Sequence, residues 1–174
     1  MNRSKIEPSD FVVAPDRIWN KTWFLLTCGD FASGKFNTMT VAWGSMGVMW
    51  FKPFVQVVVR PTRYTYEFME QYDTFTLSAL GDEHRKALQF MGSHSGRDTD
   101  KIAETGLTPI ASSAVAAPGY DEAELIIECR KIYWQDMDPS QFVDPSIEQY
   151  YPEKDYHRIY FGQVLGVQGT EQYQ

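Results

Sequence analysis

Three short stretches carry the side chains and main-chain groups from which a binding chemistry could be assembled. The first is Asn37-Thr38-Met39-Thr40-Val41-Ala42-Trp43-Gly44-Ser45. It alternates with the period of a strand, so Met39, Val41 and Trp43 point one way and Thr38, Thr40, Ala42 and Gly44 form a thin opposite face. Over such a face a flat ligand can lie close to the backbone and meet free amides and hydroxyls. An ordinary strand packed closely under a neighbouring element has the same pattern. The second stretch, Arg60-Pro61-Thr62-Arg63-Tyr64-Thr65, sets two guanidinium groups between a strand end and a helix start, where an anion is readily held. A surface turn whose arginines pair with acids fits it equally. The third, Ser95-Gly96-Arg97-Asp98-Thr99-Asp100-Lys101, offers a glycine free to take positive φ, a helix cap, and a lysine able to reach a phosphate. A plain capped helix explains its Ser, Gly and Asp as well.

Other chemistries are poorly supplied. Gly29 to Gly34-Lys35 has the spacing of a nucleotide phosphate loop, but Phe36 stands where a Ser or Thr would hold magnesium and a strand follows, so a hairpin turn is expected. No Gly-x-Gly-x-x-Gly follows a strand, which argues against a Rossmann site. His84, His94 and His157 are far apart and the carboxylates are scattered, so no metal site is expected. Cys28 and Cys129 each sit in an apolar run and read as buried reduced thiols, not a disulfide. The net charge of −7 disfavours nucleic acid and anionic membranes as partners, so any phosphate site must be local. No apolar run follows the first residues as a signal sequence would, and none reaches the ~20 residues of a spanning helix, which points to the cytoplasm. The aromatic content of 15% suits broad strands, a flat ligand or a subunit interface.

The elements that must position these stretches are mostly strands. The pattern predicts a strand over 22–28, a turn over 29–35 and a strand from Phe36. Pro53 opens another predicted strand, 54–60, with Val55, Val57 and Val59 on one face. A short helix over 63–71 with Thr65 as its cap is expected next, then a strand over 74–80. Asp82 is expected to cap a helix carrying Ala87, Leu88 and Met91 that stops at Gly92, and a shorter helix is expected from about 98 to Gly106. Strands over 125–133 and 158–167 close the chain, with Gly162 and Gly166 as bulges or close contacts. The segment 135–155 holds three prolines and three aromatics, too long and apolar for an idle connector, and is expected to cover a site or a partner subunit. Together these predict one mainly β domain, 1–174, with short helices in an antiparallel barrel, not a doubly wound parallel sheet.

In this order and at these separations the three stretches, with Phe68 and with Tyr156-His157-Arg158-Ile159-Tyr160 entering the last strand, resemble the flavin reductase-like family of FMN-binding split barrels, which includes flavoredoxin. The resemblance spans nearly the whole chain. It implies an antiparallel Greek-key split β-barrel, and a homodimer with FMN in a groove that both subunits form. It further implies that Asn37, Thr38, Met39, Thr40, Ala42, Trp43, Gly44 and Ser45 lie along the ring and ribityl chain. Arg60, Arg63, Tyr64, Thr65 and Lys101 match positions that hold the phosphate or the chain beside it, with Ser95 and Gly96 supplying amides. His157 matches a histidine near the open face of the flavin, where it would orient a nicotinamide or buffer charge; a hydrogen-bonded strand histidine explains it equally. Ala42 departs from the Ser found in several relatives, which leaves only backbone to bond there. The activity implied is NAD(P)H-dependent flavin reduction, hydride passing from NADH or NADPH through flavin N5 to a second acceptor. An electron-transfer protein served by a redox partner protein, or a flavin-binding module without turnover, remains open beside it.

Overall fold

Alternation of apolar residues sets the architecture of the computed structural model, which describes residues 2–174. Its strands and helices are β1 (Ser4–Ile6), α1 (Pro15–Arg17), β2 (Phe24–Asp30), β3 (Lys35–Val41), β4 (Gly44–Met49), β5 (Lys52–Val59), α2 (Tyr64–Gln71), β6 (Thr74–Leu80), α3 (Arg85–Ser93), α4 (Lys101–Thr105), β7 (Pro109–Ile110), β8 (Gly119–Tyr120), β9 (Ala123–Asp136) and β10 (Arg158–Gly169). The main sheet runs β3-β2-β6-β9-β10-β5-β4, with β1 added on β10, and its pairings are antiparallel. Neighbours such as β2 and β6 are not consecutive, so the chain crosses over as the Greek-key expectation requires.

One sheet face supplies the main core. Val55, Val57 and Val59 pack there with Phe24, Leu26, Phe75, Leu77, Leu125, Ile127 and Tyr160, each contributing about 1.5–3 kcal/mol by leaving water. Part of the other face carries a second core of Leu25, Leu80, Leu88, Met91, Tyr120 and Ile126, covered by α3 and the β7–β8 region. Both cysteines are buried and free, as expected. The sheet's two end strands, β3 and β4, are consecutive in sequence and separated only by Ala42 and Trp43. The sheet therefore curls until its ends meet, and the closure runs through a covalent corner instead of a hydrogen-bonded ladder.

Several local expectations need correction. Thr65 does not cap α2: Arg63 holds the cap position, and Thr65 lies buried inside the helix, its Oγ1 accepting from Asn37 Nδ2 at 2.8 Å. Asp82 does not cap α3, because a 3-10 turn over Asp82–His84 comes first. Gly92 does not end that helix either; it lies within the last turn, where a Cβ would come 3.2 Å from Thr40. The small face of β3 thus does what a closely packed strand does, with the Thr40 hydroxyl donating to the Leu88 carbonyl at 2.5 Å. Gly29 to Lys35 is indeed a hairpin, Gly106 ends α4 at φ +67°, and the β9–β10 register shifts at Gly162 and Gly166.

Candidate functional site

An edge strand presents a row of main-chain donors and acceptors, and β3 pairs on one side only, with β2. Of the cavities along this open edge, two share Met39 and Arg63. One, of about 190 Å³, is walled by Met39 to Trp43 of the β3–β4 corner, Val58, Arg60 and Arg63 of the β5–α2 junction, and His157. The other, of about 130 Å³, lies under the α2 start, the α3 end and the loop to α4, with Asn37, Tyr64, Thr65, Ser95, Gly96 and Lys101 in its wall.

The smaller cavity has the chemistry of an anion site. Arg63 and Lys101 have no carboxylate partner among the described residues, although most other arginines do. The Arg63 guanidinium makes one long contact, 3.4 Å to the Gly92 carbonyl. Lys101 is buried, and its ammonium donates to the Thr38 and Met91 carbonyls, leaving a third donor direction. Burial, and then the nearby Arg63 charge, lowers its pKa to about 8. Two cations held apart from any acid in a polar hollow lack a counter-charge that a phosphate would supply. Gly96 completes the hollow, since a Cβ there would fall 2.2 Å from Asn37 Oδ1.

The segment between β9 and β10 forms a strap held against the wall residues Trp43, Arg60 and His157 of the larger cavity. Tyr150, Tyr151 and Asp155 come from this strap, and Trp43 meets Tyr150 edge-on at 5.5 Å and His157 at 5.4 Å. His157 is buried, its Nδ1 lies 2.8 Å from the Tyr151 hydroxyl, and its pKa is lowered to about 4 by burial and then by Arg60. The ring is therefore neutral at physiological pH.

The structure brings Asn37, Met39, Thr40, Ala42, Trp43, Arg60, Arg63, Tyr64, Thr65, Ser95, Gly96, Lys101 and His157 to these two cavities. It does not bring all the expected residues there. The Thr38 hydroxyl is turned inward, 2.9 Å from Thr27 Oγ1 and 2.6 Å from the Tyr120 hydroxyl, so only main chain remains for a ligand. Gly44 packs under Trp19 and Ser45 Oγ donates to Gln56 at 2.9 Å, because a new strand begins at the corner and carries both away. Arg60 stands in the wall of the larger cavity but its charge is already paired, with Asp155 at 2.6 Å and a donation to the Tyr150 carbonyl at 2.7 Å, so it latches the strap and is not a free cation at the anion site. The aromatic and proline content of 135–155 marks the segment as a cover, but nothing in the sequence singles out Tyr150, Tyr151 and Asp155, whose partners Trp43, His157 and Arg60 are brought to them by the fold.

Comparison with known proteins accords with this geometry. A curated protein of unassigned function from Pyrococcus abyssi is 28% identical over 132 residues, which cover 74% of this chain and 63% of that protein's length. Flavoredoxin of Desulfovibrio vulgaris superposes with a TM-score of 0.68 at 24% identity, over 92% of this chain and 73% of that one. An FMN-binding domain of a flavin reductase-like enzyme from Shewanella baltica gives 0.70 at 20%, over 98% and 78%. An NADH:FAD oxidoreductase of Streptomyces globisporus gives 0.67 at 17%, over 88% and 78%. These likenesses show the split-barrel fold. The family model described as the flavin reductase like domain matches residues 19–173, and the chain belongs to that family.

Proposed function

We propose that the chain, as a single domain, binds FMN and acts as an NAD(P)H-dependent flavin reductase that passes electrons to a second acceptor. The observation that carries this reading is the pair of cations without acid partners, Arg63 and Lys101, at one end of an open strand edge whose other end is a cavity beside a neutral histidine. When bound, FMN supplies a ring that takes two electrons from a reduced nicotinamide and hands them on. Arg63, Lys101 and the amides near Ser95 and Gly96 hold the phosphate. The main chain of Met39 to Trp43 offers donors to the ring carbonyls, and the strap keeps bulk water from the His157 side. His157, neutral, positions the incoming nicotinamide without adding a charge beside Arg60 and Arg63. Purified protein loaded with FMN and mixed anaerobically with NADH or NADPH should bleach its visible band within turnover times; a band that stays unbleached with both donors rejects the reductase.

The reading includes a homodimer. Phe54, Phe161, Tyr133 and Trp50 form a connected aromatic face on β5, β10, β9 and the β4–β5 turn, with centroids 5.5–6.4 Å apart. Trp50 and Tyr133 stay half-exposed, and Ser45 lies on the same outer side as Phe54 and Gln56. A second copy on this face would return Ser45 to the neighbourhood of a shared groove. The two buried thiols suit the reducing cytoplasm, and no helix among the described residues is long and apolar enough to cross a membrane.

A further inference from the structure

The Tyr151 hydroxyl lies between two acceptors. It is 2.8 Å from Nδ1 of His157 and 3.2 Å from the Met137 sulfur, and it has one proton. If that proton goes to sulfur, Nδ1 must carry its own and donate back to the phenol oxygen, leaving Nε2 bare. If it goes to Nδ1, the proton of the neutral ring is forced onto Nε2. A thioether is a weak acceptor and an imidazole nitrogen a strong one, so the second arrangement is favoured. Nε2 has no hydrogen-bond partner among the described residues, while the ring forms part of the larger cavity's wall.

We infer that Tyr151 is a positioning residue: its hydroxyl donates to Nδ1 of His157 and so presents Nε2–H to the cavity as a donor for a carbonyl or carboxylate oxygen of the molecule bound there. The identity of that molecule as a nicotinamide rests on the proposed function; the tautomer does not. The phenol is built to hold still. Its ring stacks on Phe142 at 6.0 Å, meets Tyr156 at 5.0 Å, and carries the Arg60 guanidinium 5.0 Å above it. The Met137 amide donates to the His157 carbonyl at 3.0 Å, which fixes the strap beside the histidine it serves. The charges facing His157 are Arg60 at the end of β5, Arg63 at the start of α2 and Asp155 on the strap. Burial first, and then the two arginines against the opposing Asp155, keep the ring neutral, and a neutral ring is what makes the choice of tautomer matter.

Nitrogen-15 NMR of the flavin-free protein at neutral pH reads which ring nitrogen of His157 is protonated. The expected result is Nε2–H in the wild type and in Met137→Leu, with the Nδ1–H form appearing and the imidazole pKa rising in Tyr151→Phe. A wild-type ring protonated on Nδ1, or a tautomer that changes in Met137→Leu and not in Tyr151→Phe, overturns the inference. In FMN-loaded protein, Tyr151→Phe should lower kcat/KM for the reduced nicotinamide about fivefold to tenfold, the loss of one hydrogen bond, with FMN affinity unchanged. An unchanged kcat/KM overturns the donor's part in binding. A wild type that ignores FMN and both nicotinamides would sink the functional reading while leaving the NMR result standing.

Discussion

A Cβ placed on Gly96 would lie 2.2 Å from Asn37 Oδ1, and Asn37 cannot swing clear without straining its 2.8 Å bond to Thr65. The contact joins the loop before α4 to the open edge of β3 and draws the anion hollow together. Gly96→Ala should therefore push the loop outward, at a cost of about 1–3 kcal/mol for overpacking. Part of that cost should appear as weaker FMN binding by fluorescence titration. An unchanged FMN affinity would show that the loop's position is immaterial to the site.

Arg63 is the cleaner of the two cations to remove. Its side chain makes only the 3.4 Å contact to Gly92, so Arg63→Ala leaves no buried group stranded. A charge-assisted contact to phosphate is worth about 1.5–3 kcal/mol, so FMN affinity should fall roughly tenfold or more. Riboflavin has no phosphate and should be affected far less. Equal losses for the two ligands would place Arg63 at the ring and not at the phosphate.

The barrel's core was legible because period-two alternation in Val55, Val57 and Val59 depends on nothing but the sequence. Strand β4 was not legible. A two-residue hairpin turn is usually announced by Asn-Gly or a similar pair, since both positions need positive φ; here Trp50 and Phe51 occupy them, at φ 54° and 56°. Period-two alternation alone therefore runs Gly44 and Ser45 on as a continuation of β3. The anion hollow was visible as three stretches of the right residue types, but which arginine stays free depends on Asp155, 95 residues away from Arg60. The Thr38 hydroxyl faces Tyr120 for the same kind of reason: its partner is remote in sequence.

The lowered pKa of Lys101 gives FMN binding a pH dependence whose sign is fixed. Burial penalises the ammonium, so the folded pKa, about 8, lies below the ordinary lysine value of 10.5. Between those values the unfolded chain binds more protons, so this group's penalty on folding is present below about pH 8 and is relieved as pH rises toward 10.5. Ligand binding runs the other way. The phosphate, already a dianion above its second pKa of about 6, needs the charged amine. FMN affinity should weaken between pH 7 and 9, by up to about tenfold at one unit above the pKa. In Lys101→Met the affinity should be lower and nearly flat over the same range. A wild-type curve as flat as the variant's would mean that the ammonium does not meet the phosphate.

The aromatic face can be tested without touching the cavities. Trp50 and Tyr133 are 55% and 42% exposed and contact each other edge-on at 6.0 Å, at the margin of the Phe54–Phe161 pair. Replacing both with Glu puts four carboxylates into an interface between two identical faces, where each copy of a stable dimer buries about 800 Å². Because both side chains are half in solvent, the single chain should lose little of its own stability. Light scattering should then report a mass near 20.1 kDa in place of twice that value. If the FMN groove is shared, affinity for FMN should fall with the mass. A wild type already at the monomer mass would remove the dimer from the reading. A double variant that stays dimeric would move the interface to another face, and a monomeric variant with full FMN affinity would confine the site to one chain.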